Sequence, residues 1–287
     1  MSLSSILDDG FKYPFQNKRI FIVIGILALL YPLLTIIVTI TGNSLSVEII
    51  AILIIVGIIT YLILMGYGIS IIKSTINNDS KLPTIELKEN ILNGIKYLSI
   101  ILTYFIIPII IMVILISNLN FIQDYNSIMG YYTQYGLEYG AHTPNALLIN
   151  FLTKFLEIIV VGIILLVIFL IPLLIGFCRL SKDNSVKSAL QITEIIKDIK
   201  EIGWGRYIGY LIAIGIIVGI IMFFVNIIIG YMSLMGILGL IISTILNSFI
   251  IVTFFGLFIS RVLGLVYNLK DEEIDPYINY KPPENSY

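Results

Sequence analysis

Six apolar blocks, each about as long as a bilayer is thick, leave this chain few folds to choose from. Roughly 20 apolar residues at 1.5 Å rise cross about 30 Å of hydrocarbon. In that medium each backbone donor and acceptor must be satisfied inside the segment, which selects helices. The spans are read at about Ile20–Ile40, Val47–Ile72, Tyr97–Ile116, Phe155–Phe177, Tyr207–Ile229 and Leu240–Leu263. The apolar stretch from Gly230 to Val266 is too long for one crossing, and Gly230, Gly236 and Gly239 predict an apolar hairpin ahead of the sixth span. Charged residues make up 12% of the chain, about half the share of a soluble domain, because most of the chain contacts lipid or other apolar helices. The first block begins at Ile20, is of full span length and lacks a small-residue cleavage site, so it reads as an uncleaved first helix rather than a secretory signal.

The basic residues orient the spans. Lys12, Lys18 and Arg19 precede the first span, and Lys73, Lys81, Lys88 and Lys96 lie between the second and third. Arg179, Lys182, Lys187, Lys197, Lys200 and Arg206 lie between the fourth and fifth, and Arg261, Lys270 and Lys281 sit at or beyond the end of the sixth. Only Lys154, of the 17 Lys and Arg residues, falls on the other face. By the positive-inside rule both termini are cytoplasmic in a cell membrane. An odd number of spans would place some of these clusters outside.

The expected fold is therefore an all-α integral membrane protein of about six transmembrane helices. One membrane-embedded domain covers residues 1–266, with an outer loop at 117–154, and an acidic tail follows at 267–287. Asp271, Glu272, Glu273 and Asp275, then Pro276, Pro282 and Pro283, give that tail too little apolar area to fold, so disorder is expected.

Two cytoplasmic segments have helical apolar spacing. In the first, Leu87, Ile91 and Ile95 recur among Glu86, Lys88, Glu89 and Lys96. In the second, Ile192, Ile195, Ile196, Ile199 and Ile202 form a stripe opposite Lys197, Asp198, Lys200 and Glu201, with Ser185 as a candidate cap. Each reads as an amphipathic helix on the inner interface or packed under the bundle, against the plainer alternative of a helical connector. Gly66-Tyr67 and Gly176-Phe177 precede the two segments, and Lys96-Tyr97 and Arg206-Tyr207 follow them, at one offset. This suggests a parallel internal repeat, which occurs in transporter folds and also arises from duplication alone.

Phe11-Lys12-Tyr13-Pro14-Phe15 before the first span, Gly66-Tyr67-Gly68 at the end of the second, Lys81-Leu82-Pro83 in the polar segment and Asn93-Gly94-Ile95-Lys96 opening the third carry a resemblance. In order and spacing they resemble a membrane family, domain of unknown function 4013, frequent in methanogenic archaea. The resemblance implies no catalytic residue, substrate or cofactor, and the outer stretch and acidic tail look like elaborations on it.

Little in the residues points to chemistry. Glu157 lies about one turn into the fourth span on the outer side, within reach of water or Lys154. Arg261 lies near the inner end of the sixth span and can snorkel. Asn226 and Asn247, toward the outer ends of the fifth and sixth spans, are candidates for an intramembrane hydrogen bond, more often helix glue than a ligand site. A proton-coupled carrier commonly uses a buried carboxylate or histidine relay, and none stands near mid-membrane. The single histidine, His142, rules out an H-E-x-x-H zinc site. Ser127, Asp124 and Glu138 are near it in sequence, but no nucleophile elbow frames Ser127. The lone Cys178 excludes an internal disulfide and a multi-cysteine metal site. No cofactor is expected, and a net charge of -1 gives no field for nucleic acid.

Gly205, Gly209 and Ala213 recur every four residues, and Gly215 and Gly219 make a second pair. Small residues so spaced let helices approach closely, either within the bundle or at a homodimer seam. Pro32, Pro108 and Pro172 can kink the first, third and fourth spans. Phe121, Tyr125, Tyr131, Tyr132, Tyr135 and Tyr139 make the outer stretch an interfacial belt or a lid. The functional expectation is a non-enzymatic membrane component that binds lipids or a protein partner, through the cytoplasmic helices or the acidic tail. The alternative is a permease for an apolar or neutral small molecule. A lipid-acting enzyme ranks third.

Overall fold

A backbone surrounded by hydrocarbon has to satisfy itself, and the described apolar segments of this chain do so as helices. The computed structural model describes residues 1–41, 46–138 and 142–271. Helices α1 (Leu3–Lys12), α2 (Lys18–Thr41), α3 (Val47–Ile76), α4 (Leu87–Asn118), α5 (Phe121–Tyr135) and α6 (Asn145–Asp183) are followed by α7 (Val186–Ala189), α8 (Ile192–Ile202), α9 (Trp204–Ser233), α10 (Gly236–Ile245) and α11 (Thr253–Asn268). A π-helical segment, Leu246–Val252, joins α10 to α11. Among the described residues there is no strand. Among the described residues six helices are long and apolar enough to cross a membrane: α2, α3, α4, α6, α9 and the continuous Gly236–Asp271 element.

Four boundaries differ from expectation. The hairpin before the sixth span shrinks to a turn at Leu234 and Met235, and the span starts at Gly236, whose φ of +75° suits glycine. The Leu87–Ile95 segment is no separate helix but the first turns of α4. There the buried positions are Asn90, Asn93 and Gly94, while Leu87 and Ile95 are exposed, because the facing helix α3 offers a glycine notch rather than an apolar groove. Ser185 precedes the short α7, and its side chain makes no cap hydrogen bond; α8 begins after Gln191. The first residues assigned to the tail are folded: α11 runs to Asn268, a 3₁₀ turn covers Leu269–Asp271, and Tyr267 and Leu269 are buried. Aromatic burial and ion pairing outweigh the low apolar content there. Residues 42–45, 139–141 and 272–287 lie outside the described residues, and with them Tyr139 and most of the expected tail.

The chain forms two compact units. One comprises Met1–Tyr97 with the chain from Ile175 onward; the other is Leu98–Leu174. In the first, Tyr13, Ile24, Tyr67, Ile71, Leu82 and Leu257 form a buried cluster that joins the N-terminal segment to α2, α3 and α11. Helices α3 and α4 nearly touch. A Cβ at Gly66 would run into the Asn90 carbonyl oxygen, and one at Gly94 into the Leu62 carbonyl oxygen. In the second unit Phe121 stacks on Phe151 at 5.0 Å, Phe151 lies 6.2 Å from Phe155, and Lys154 pairs with Asp124 at 2.6 Å.

Candidate functional site

The described charges that the fold buries gather in the first unit, at the foot of the sixth span. At 1.5 Å per residue the Gly236–Asp271 element is about 50 Å long, well beyond about 30 Å of hydrocarbon. Its last turns therefore project past the apolar layer and organise a polar one.

Arg261 is the first organiser and is 5% exposed. Its Nε donates to Asp9 Oδ1 at 2.6 Å and its Nη2 to Asp9 Oδ2 at 3.1 Å, the two-point geometry that a guanidinium fork offers a carboxylate. Nη1 donates to the Asp79 carbonyl at 2.7 Å and to Thr75 Oγ1 at 3.3 Å. The guanidinium carbon lies 4.7 Å from the centre of the Tyr13 ring. Burial pushes the Tyr13 phenol up, so it stays a neutral donor, here to the Lys81 carbonyl at 3.3 Å. Asp9 is in place because α1 packs on α11: Ile6 is fully buried, Gly10 sits against Val262 and Phe258, and the Phe11 ring lies 4.6 Å from Phe258.

Asp198 of α8 is the second centre, 5% exposed. Lys270 Nζ reaches Oδ1 at 3.0 Å, while Arg179 Nη1 and the Tyr267 hydroxyl each reach Oδ2 at 3.0 Å. Burial by itself would raise this carboxyl, but the hydrogen bonds from Lys270, Arg179 and Tyr267 outweigh it and hold the group below the usual carboxylate range. Lys270 also lies 3.8 Å from the Tyr267 ring centre. Between the two centres, Asn268 Nδ2 donates to the Thr75 carbonyl at 3.0 Å and so caps the end of α3. The layer thus ties α1, α3, α6, α8 and α11 together through ion pairs, with Arg261 on Asp9 and both Arg179 and Lys270 on Asp198.

The residues singled out in the sequence are mostly elsewhere. Asn226 donates to the Met222 carbonyl of its own helix at 2.7 Å. No hydrogen bond between it and the half-buried Asn247 is found among the described residues. Glu157 is exposed on α6, and Lys154 reaches Asp124 rather than Glu157. His142 stacks on Tyr135 at 4.1 Å, and the Ser127 hydroxyl donates to the Gln123 carbonyl at 2.9 Å, so the outer acid, serine and histidine do not converge. Among the described residues, nothing lies within 4 Å of a Cβ added at Gly205, Gly209, Gly215 or Gly219, so these four do not show the expected close packing there. Gly66 and Gly94, two of the positions in the quoted motifs, are among the glycines that do make close contacts. The matched repeat positions make unlike contacts: Lys96 donates to Asn184 at 2.6 Å, Arg206 to the Met1 carbonyl at 2.9 Å.

Sequence reasoning missed Asp9, Asp198, Tyr267 and Lys270. Asp198 carried a signal, since it stands three residues after Ile195 and four before Ile202 and so lies at the edge of their stripe. A shallow open depression of about 640 Å³ in the second unit is lined by Ser117, Asn120, Gln123, Asn126 and Ser127, with Ile116 and Ile122. Among the described residues no group of three or more His, Cys, Asp or Glu is placed to hold a metal ion.

The family described as a protein of unknown function (DUF4013) matches residues 49–230, more than half of the chain. The match contains Gly66, Gly94, Arg179 and Asp198 but neither α1 nor the sixth span, which supply Asp9, Arg261, Tyr267 and Lys270. No curated protein and no solved structure gives a significant match.

Proposed function

We propose, from the premise that this chain belongs to the DUF4013 family, that it is a non-enzymatic component of the cell membrane that binds lipid or a protein partner. The multi-pass character rests on its six apolar helices. Both termini are assigned to the cytoplasm on the distribution of Lys and Arg, which favours one face of the spans almost completely. The polar layer then lies at the inner surface, under the bundle.

One observation carries the reading. The buried charges of that layer are engaged with one another, Arg261 with Asp9 and Asp198 with Arg179 and Lys270, in the manner of a scaffold. A catalytic acid or base is more often set apart by burial or by a like charge, so that it titrates near working pH. Asp198 is instead held ionised, as a structural anchor would be.

The permease alternative has support of its own. The π-helical segment Leu246–Val252 interrupts the sixth span, and segments of this kind often mark functional positions in helices. Its Phe249 carbonyl comes within 3.0 Å of where a Cβ on Gly25 would be, so two backbones meet closely at that break.

Native mass spectrometry of the protein released gently from its own membrane tests the proposal. A retained subunit at fixed stoichiometry, or a retained lipid, is the expected result. A retained water-soluble small molecule would move the permease reading ahead, and a turnover product of an added lipid would overturn the non-enzymatic one.

A further inference from the structure

The protein covers only part of the apolar face of α8. Ile195, Ile199 and Ile202 are at most 3% exposed, and they flank Asp198 on the side held by the Leu269–Asp271 turn. Ile192 and Ile196 belong to the same apolar stripe, yet they are 47% and 36% exposed. Successive residues of a helix turn by about 100°, which fixes the order of side chains around α8. The buried set comes first, then Ile192 and Ile196, then Lys200, Thr193 and Lys197, and finally Glu201 and Glu194 next to the buried set again. Lys200 borders the open isoleucines, Lys197 lies farther round beside Glu201, and both glutamates lie on the side turned away from the isoleucines. After Gly203, whose φ of +93° turns the chain, comes Trp204, 42% exposed at the start of the fifth span.

That order suits a helix lying at the edge of the bundle in the plane of a lipid surface. The isoleucines face acyl chains, the lysines reach phosphate level and the carboxylates point away from the lipid. We propose that Ile192, Ile196, Lys197, Lys200 and Trp204 form a binding site for anionic phospholipid of the inner leaflet. The proposal rests on the topology and lipid-binding reading above, and gives that reading a place and a headgroup charge. Charge complementarity selects the occupant: a zwitterionic headgroup gains little from two lysines, and an acidic one gains most when the glutamates are turned away.

Trp204 is the only tryptophan in the chain, which makes the test specific. The full-length protein is placed in mixed phosphatidylcholine and phosphatidylglycerol vesicles, with brominated acyl chains on one lipid or the other. Bromine quenches indole emission on contact, so the two mixtures report which lipid sits beside Trp204. Quenching should favour brominated phosphatidylglycerol by about fivefold or more, the scale of one lysine at an anionic surface. Lys197→Gln combined with Lys200→Gln should bring the preference close to one, while Glu194→Gln with Glu201→Gln should retain it. Equal quenching by the two lipids in the unaltered protein, or a preference that survives loss of both lysines, would overturn the site. So would the absence of quenching by either lipid, which would mean that protein covers the stripe. Lipid or subunit retention in native mass spectrometry is a separate readout, so this site can fail while the broader reading stands.

Discussion

Asp9 and Arg261 stand 252 positions apart and meet through two hydrogen bonds of 2.6 and 3.1 Å. The pair fastens the N-terminal helix to the foot of the last span. Arg261 is almost fully buried while Asp9 keeps about a third of its side chain in solvent, so the two substitutions have unequal consequences.

Arg261→Met removes the fork that holds Asp9, Thr75 and the Asp79 carbonyl at once. A partly exposed pair broken on one side costs about 2–3 kcal/mol. The thermal midpoint in detergent should fall, and limited proteolysis should cut between α1 and α2 faster than in the unaltered protein. Asp9→Asn should release α1 in the same way but lower the midpoint more, because it leaves the buried cation without its carboxylate.

Asp198 makes stability depend on acid. Its carboxyl is depressed in the folded state, so its contribution is fully present above the ordinary aspartate value of about 3.9 and disappears as pH falls through the lower folded value. Thermal midpoints measured on descending pH should drop in that window. Asp198→Asn should lower the midpoint at neutral pH, by the on the order of 3–5 kcal/mol typical of a broken buried pair, and flatten the acid limb. An acid limb identical in the variant would show that another carboxylate governs it.

Glycines of one composition should behave in two ways. Gly66→Ala or Gly94→Ala drives a methyl into the backbone of the facing helix, so folded yield should collapse. Gly215→Ala and Gly219→Ala meet open space, and the gain in helix propensity, up to about 1 kcal/mol each, should leave the monomer as stable or slightly more so. A fall in oligomer size for the second pair, read by light scattering, would mark a seam between two copies.

The spans were legible because length and hydropathy are local properties, and the positions of Lys and Arg could be read directly. The polar layer was not, because periodicity assigns a face and never a partner. Asp198 reads as one more charge in the run Lys197, Lys200, Glu201 until Lys270, 72 residues later, is brought against it. Tyr267 and Lys270 looked like the start of an acidic tail because each is stabilised by a residue far away in sequence. The glycines show the same limit. Four-residue spacing singles out Gly205, Gly209, Gly215 and Gly219 on one helix, whereas Gly66 and Gly94 pack closely from two helices and share no spacing at all. The N-terminal helix was readable in principle, from a capping Ser2 and from Leu3, Ile6, Leu7 and Phe11 at helical intervals, but ten residues are too few to register beside full-length spans.

The inner-leaflet site and the cytoplasmic termini both depend on which side of the membrane the polar layer faces. Lys88→Cys and Lys197→Cys place a thiol on two exposed positions of that side, while the native Cys178 is buried and should stay silent to a bulky charged maleimide. Labelling by an impermeant reagent in inside-out vesicles, with none in intact cells, is the predicted result. Labelling of either position from outside intact cells would contradict the topology, and with it the inner-leaflet lipid site and the cytoplasmic assignment of both termini.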